Sequence, residues 1–244
     1  MVEQARQKGV EIRAYEKVID IASNGKKSVK TAKTDYRCDA LILATGARWK
    51  FLNVPGETWL ARGISYCAIC DGIFFKNRKV VVIGSRNEAA QEALTLCGIA
   101  RDVVLVTNSK KIKAEKSLIG ELETKGVHVI EGYKIEEIER GEFVNYVKMR
   151  GIGVNETKVV QTEGVFIALD VEPTALNVDK VGVKTHRQGG IVVDNRQQTS
   201  VEGIFAAGDC TCGSGFHIAS CLGDGSKAGL AAYLYTKKLR RVKV

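Results

Sequence analysis

Proline is nearly absent from this chain of 244 residues: there are two, beside two tryptophans and two methionines. So little proline argues against long disordered linkers between folded parts. No apolar run approaches the ~18 residues that a membrane-spanning helix requires, so no membrane partner is expected. No signal-peptide pattern occupies the start at Met1-Val2-Glu3-Gln4, and the expectation is a cytoplasmic protein. Basic side chains outnumber acidic ones, 37 to 28, for a formal charge of +9. Yet no basic stripe interleaved with aromatics accompanies that surplus, which sets nucleic acid aside as a partner. What remains is 45% hydrophobic, 27% charged and has 25 glycines, the balance of a globular protein with many tight turns.

Against those absences, seven cysteines are conspicuous. Two stand three positions apart in Ser65-Tyr66-Cys67-Ala68-Ile69-Cys70-Asp71-Gly72. In a reducing compartment such a pair is more often catalytic than structural. If a helix begins at Cys67, the leading sulfur lies at its N-terminus, where a thiolate is favoured and the thiol is acidified from about 8.5 towards 3.5–7.5. Asp71, next to the second sulfur, is placed to give or take a proton as the thiolate changes state. Two plainer readings stay open at this point. The pair could be half of a zinc site, which would need a second pair, and Cys210-Thr211-Cys212 has an unusual C-x-C spacing for that. Or both could be inert core cysteines. No metal ligand set is expected. Cys210 and Cys212 could also form an auxiliary dithiol.

Along the chain, Gly9–Tyr15 alternates apolar and polar, as a half-buried strand does. Val18–Ile21 and Ser28–Ala32 read as short strands split by an Asn24-Gly25 turn. Tyr36–Ala47 reads as a buried parallel strand stopped by Thr45-Gly46, where backbone can approach a ligand. Lys79–Ile83 is a second buried strand, followed by Gly84-Ser85-Arg86-Asn87-Glu88-Ala89 and a helical pattern through Cys97. Strand, glycine turn and helix form the setting in which pyrophosphate is held on backbone N–H groups. Gly84 and Ala89 fit G-x-G-x-x-A, but Arg86 stands where the second glycine belongs. Its guanidinium either binds phosphate directly or blocks the site.

Beyond the next strand, Asp102–Val106, the segment Thr107–Lys113 has no acid and three lysines. Lys110 and Lys113 there lean towards a 2′-phosphorylated dinucleotide, NADPH over NADH. Lys116–Lys125 reads as a helix, Val127–Ile130 as a strand and Tyr133–Thr162 as an antiparallel layer. Val165–Leu169 is a third buried strand. Gly203-Ile-Phe-Ala-Ala-Gly208-Asp209 ends a strand with a carboxylate that can meet a ribitol or ribose hydroxyl. Phe216–Tyr235 has helical spacing, and the basic stretch after it reads as a frayed end.

Taken together, Cys67–Gly72, Leu41–Ala47, Gly203–Asp209 and Gly223–Leu230 resemble the low-molecular-weight thioredoxin reductases in order and spacing. The resemblance implies an α/β fold of two interleaved three-layer dinucleotide-binding domains. Residues 1–48 and 162–244 would be the FAD domain, and 49–161 the NAD(P) domain carrying the dithiol. It implies electron flow from NADPH or NADH through FAD to Cys67 and Cys70, then to thioredoxin or a similar protein, in a homodimer. By position, Cys70 resembles the cysteine facing the flavin, Cys67 the one attacking the substrate, and Asp71 the acid–base group. Asp209, after Gly208, falls on the FAD-contacting aspartate, and His217-Ile218 on the place of a glutamine beside the flavin ring. The family's opening strand and G-x-G-x-x-G loop have no counterpart in residues 1–20, nor do its phosphate-binding arginines at Thr107–Ser109. The expectation is therefore an incomplete FAD domain that binds flavin weakly; the alternative is a flavin-deficient dithiol or nucleotide-binding module.

Overall fold

Runs of β-branched residues buried on both faces become parallel strands, and alternating segments become antiparallel ribbons. A computed structural model describes all residues except 25, 59–61, 175–177, 188, 214 and 243–244. In chain order the elements are α1 (Val2–Gln7), β1 (Val18–Asn24), β2 (Lys26–Thr31), β3 (Asp35–Cys38), β4 (Leu41–Leu43) and β5 (Ala47–Trp49). There follow β6 (Ile64–Ser65), α2 (Ala68–Asp71), β7 (Lys79–Ile83), α3 (Asn87–Cys97), β8 (Asp102–Val106), α4 (Lys116–Thr124) and β9 (His128–Ile130). The chain continues with β10 (Tyr133–Arg140), β11 (Val144–Gly151), β12 (Thr157–Gln161), β13 (Gly164–Ile167), β14 (Val171–Pro173), β15 (Ile204–Ala206) and α5 (Ile218–Val242). Two units result, Met1–Arg48 with Glu172–Val244, and Trp49–Val171.

The inserted unit is built on a five-stranded parallel sheet in the order β6-β13-β7-β8-β9. Val80 to Ile83 and Val165 to Ile167 are fully buried, because the sheet is covered on both faces. On one face Ala89, Ala90, Ala93 and Leu96 of α3 and Leu122 of α4 pack against Val82, Leu105 and Phe166. The small alanines let α3 approach the sheet closely. On the other face Ile138, Val147 and Met149 of the antiparallel β10-β11-β12 layer meet Val81, Ile83 and Val165. Three layers follow from one sheet with two apolar faces. His128 is an exposed strand residue.

In the other unit β4 and β15 pair in parallel, Leu41 opposite Ile204 and Leu43 opposite Ala206. Ala228 and Ala232 of α5 pack on Phe205 and Ala207 on one side of this pair. The antiparallel β1-β2-β3 ribbon contributes Ile21 to a second cluster with Leu43 and Ile204. The hairpin residue Gly25 lies outside the described residues.

Four expectations need correction. Gly9–Tyr15 forms no strand: Val10, Ile12 and Tyr15 are exposed, and among the described residues the segment has no strand to pair with. Alternation without a neighbouring strand has nothing to bury against. Tyr36–Ala47 is broken by a bend at Asp39-Ala40 into β3, antiparallel, and β4, parallel. The basic stretch after Tyr235 is not frayed but continues α5 to Val242. Finally, the division between units falls at 171/172 rather than 161/162, because β13 is hydrogen-bonded between β6 and β7.

Candidate functional site

The dithiol segment leaves β6, crosses Tyr66 and turns into the single helical turn α2, which Cys67 caps. Cys67 and Cys70 are joined as a disulfide, with their Cα atoms 5.3 Å apart. The Cys70 amide donates to Cys67 Sγ at 3.1 Å. Ser65, buried at the end of β6, fixes the geometry. Its hydroxyl donates to Asp71 Oδ2 at 2.7 Å, and its oxygen accepts from the Cys67 amide at 3.1 Å. A second carboxylate, Glu92 on α3, accepts from the Ala68 amide. The turn is thus held at both ends by hydrogen bonds to charged acceptors, stronger than neutral ones.

An apolar hollow of about 740 Å³ opens beside the bridge, with Trp49, Phe51, Tyr66, Phe74 and Phe143 in its wall. Tyr66 is held there by its hydroxyl, which donates to buried Glu57 at 3.1 Å. Burial, and then the Glu57 charge, push the Tyr66 phenol far above its ordinary range, so it stays neutral. Glu57 also accepts from the amides of Leu52 and Asn53, at 2.6 Å each. Phe74 and Ile73, just after the dithiol, are 73% and 63% exposed, whereas Phe75 turns inward and stacks edge-on against Phe166 with centroids 5.0 Å apart. Ser65, Glu57 and Glu92 were missed in the sequence. Ser65 is only six residues from Asp71 and so within reach, but nothing in Glu57 or Glu92 announces its partner.

The parallel sheet supplies a second feature. From β7 the chain winds to β8 and β9 on one side, while β13 returns on the other, so the strand order reverses between β7 and β13. Ligands of open α/β sheets lie at the carboxyl ends of strands flanking such a reversal. Gly84 ends β7 there. A Cβ on it would fall 2.1 Å from the Ala168 carbonyl oxygen and 2.8 Å from Ala89 Cβ, so no larger residue fits the turn. Gly84→Ala is expected to lower stability by about 1–3 kcal/mol through overpacking and to remove dinucleotide binding, read by urea denaturation and by titration. Unchanged values in both would mean that the turn is not under this constraint.

Arg86 is the cap of α3 and makes no side-chain capping bond. Its Nε lies 3.1 Å from Asp170, just beyond β13, and Lys50 Nζ lies 3.8 Å from the same carboxylate. Asn87 exchanges two hydrogen bonds with Glu115, and Ser85 accepts from the Lys113 amide at 2.6 Å, so the 107–115 loop is tied to the turn. Lys110, Lys113, Arg86 and Glu88 are exposed, Ser85 and Asn87 half-buried and Ala89 buried. This cradle fits a dinucleotide pyrophosphate at its backbone.

The other unit brings together Thr45-Gly46 and Gly208-Asp209. The Ala207 amide donates to Leu43 at 2.9 Å, so the two strand ends emerge side by side. Gly46 and Gly208 have φ of +68° and +74°, turns that glycine adopts at no steric cost. Thr45 Oγ1 donates to the Thr174 carbonyl. Asp209 Oδ1 accepts from Cys221 Sγ at 3.2 Å. His217 precedes α5 and is half-buried, and Ile218 is 81% exposed at the first position of that helix. Two parallel strand ends with a carboxylate fit the ribityl part of a flavin. Cys210 and Cys212 are both free thiols: Cys210 is buried and bonded to the Leu43 and Ala207 carbonyls, Cys212 to Gly190. Burial raises the Cys38, Cys97, Cys212 and Cys221 thiols above their ordinary value, which keeps them protonated.

A parallel sheet with a glycine turn at its reversal and a bridged C-x-x-C beside it defines a nucleotide-dependent disulfide oxidoreductase. The chain belongs to the pyridine nucleotide-disulphide oxidoreductase family, whose model matches residues 2–231. Within it, the chain is a thioredoxin-reductase-like disulfide reductase. It is 34% identical to thioredoxin reductase of Bacillus subtilis over 98% of its own length and 77% of that protein's. Thioredoxin reductase of Streptococcus pyogenes superposes with a TM-score of 0.88 at 32% identity, over 97% of this chain and 78% of that one. That of Giardia duodenalis gives 0.91 at 29%, over 97% and 79%. No described helix is long and apolar enough to cross a membrane.

Proposed function

We propose that the chain takes electrons from NADPH, with NADH as the second-choice donor, by way of FAD, and delivers them through Cys67 and Cys70 to thioredoxin or a similar small protein disulfide. The observation that carries this is the Cys67–Cys70 bridge at the rim of an apolar hollow, with Asp71 held beside it by Ser65. Gly84, Ser85, Arg86, Asn87, Glu88 and Ala89 would hold the dinucleotide pyrophosphate, with Lys110 and Lys113 at the adenosine phosphate. Thr45, Gly46, Gly208 and Asp209 would hold the flavin, and His217 and Ile218 would lie at its ring.

A flavin held there would supply the electron pair for opening the bridge. Once open, Cys67 as thiolate attacks one sulfur of the partner's disulfide, forming a mixed disulfide and releasing the partner's other sulfur as a thiolate. Cys70 then attacks Cys67 Sγ, which re-forms the bridge and frees the second partner thiol. Asp71 carries the proton that the departing thiolate takes up. Exposed Phe74 and Ile73 give a protein partner an apolar surface to dock on next to the sulfurs. The reading takes the working protein to be cytoplasmic, and a homodimer by its resemblance to the low-molecular-weight thioredoxin reductases. The test is the absorbance spectrum after incubation with FAD, followed by turnover with thioredoxin under each nicotinamide. Flavin bands and faster oxidation of NADPH are expected. A colourless protein that consumes neither nucleotide would end the proposal.

A further inference from the structure

Arg86 and Asp170 face each other across the reversal between β7 and β13. Each is placed where charge matters most. Arg86 stands at the head of α3, in the position where a backbone contact to phosphate is ordinarily made. Asp170 follows β13 and puts a carboxylate into the crevice that an anionic ligand must enter. Left alone, that carboxylate would repel phosphate. In the structure it is neutralised twice, by Arg86 at 3.1 Å and by Lys50 at 3.8 Å.

The Arg86 side chain is 58% exposed and that of Asp170 30%. An ion pair this wet contributes little to stability and is readily exchanged. A guanidinium fork on phosphate oxygens makes charge-assisted bonds of better geometry, next to the first-turn amides of α3. A pyrophosphate therefore competes well for Arg86, and Lys50 stays behind to balance Asp170.

We propose that Arg86 and Asp170 form a latch: Arg86 is the phosphate-binding residue of the dinucleotide site, and Asp170 holds it until the dinucleotide displaces the carboxylate. Asp170 thereby sets the affinity of the site without touching the ligand. The proposal rests on the reading that the Gly84 turn takes the pyrophosphate.

The experiment is equilibrium titration of the full chain with NADPH and NADH, following nicotinamide fluorescence, for wild type, Arg86→Ala, Asp170→Asn and the double variant. Circular dichroism confirms that each is folded. Arg86→Ala is expected to weaken binding about tenfold or more, the scale of losing a hydrogen bond to a charged group. Asp170→Asn is expected to tighten binding several-fold, and to give no gain once Arg86 is gone. Arg86→Ala binding as tightly as wild type, or more tightly, would show the side chain to be an obstruction and overturn the latch. So would an Asp170→Asn gain of equal size in both backgrounds, the mark of simple repulsion. If folded wild type and all three variants bind neither nucleotide, the reading of the turn itself fails, an outcome distinct from the other two.

Discussion

Cys67→Ser and Cys70→Ser each lower nicotinamide-dependent reduction of thioredoxin by about 10³-fold or more, equivalent to about 4 kcal/mol of barrier. Disulfide exchange needs two sulfurs in turn, one to attack and one to release the product, and neither can borrow a substitute. The other five cysteines are unsuited to it. Cys210 is buried with its sulfur bonded to two carbonyls, and burial keeps Cys38, Cys97, Cys212 and Cys221 protonated. A denatured thiol count checks that the right bond was broken. Wild type has seven cysteines, five of them free, so a single serine variant leaves six thiols without any reductant. Flavin absorbance is measured alongside and is expected to stay at the wild-type level, because Thr45, Gly46, Gly208 and Asp209, the residues proposed to hold the flavin, are unchanged. A variant that keeps a tenth of the turnover would remove the dithiol from the mechanism.

Phe166→Ala is expected to cost about 3–5 kcal/mol, the ordinary range for emptying an aromatic site in a closed core. Set against a typical domain stability of about 5–15 kcal/mol, that loss is severe. Phe166 is fully buried in the middle of β13, with Val80, Val82 and Leu105 in the same cluster. Its ring meets Phe75 edge to face, and the Phe75 ring in turn covers Gly164, where an added Cβ would sit 2.3 Å from the ring. Removing Phe166 therefore leaves a cavity under the segment that follows Cys70. Urea denaturation followed by circular dichroism reads the loss. Phe74→Ala is the control: its ring, 73% exposed, should leave the midpoint where it was. Equal shifts for the two variants would refute this account of the core.

Much of the inserted unit is legible in the amino-acid sequence alone. Lys79–Ile83, Asp102–Val106 and Val165–Leu169 are unbroken apolar runs, and only a sheet covered on both faces asks for that. Cys67, Cys70 and Asp71 are read from adjacency, and Gly84 from its place between strand and helix. What escaped depends on neighbours that are distant in sequence. The run at Val165 says that a strand exists but not which sheet it joins, hence the misplaced boundary. Gly9–Tyr15 has the right alternation, yet among the described residues no strand lies beside it. Arg86 was legible as an anomaly, whereas its partner Asp170 lies in an ordinary-looking strand exit, and nothing local marks the pair.

Ser65 holds both the Cys67 amide and the Asp71 carboxylate from one fixed point at the end of β6. When the sulfur bridge opens, therefore, proton and nucleophile remain on a common mount. The proton carrier and the attacking sulfur are thereby kept in register by one buried hydroxyl, without any rearrangement inside the turn.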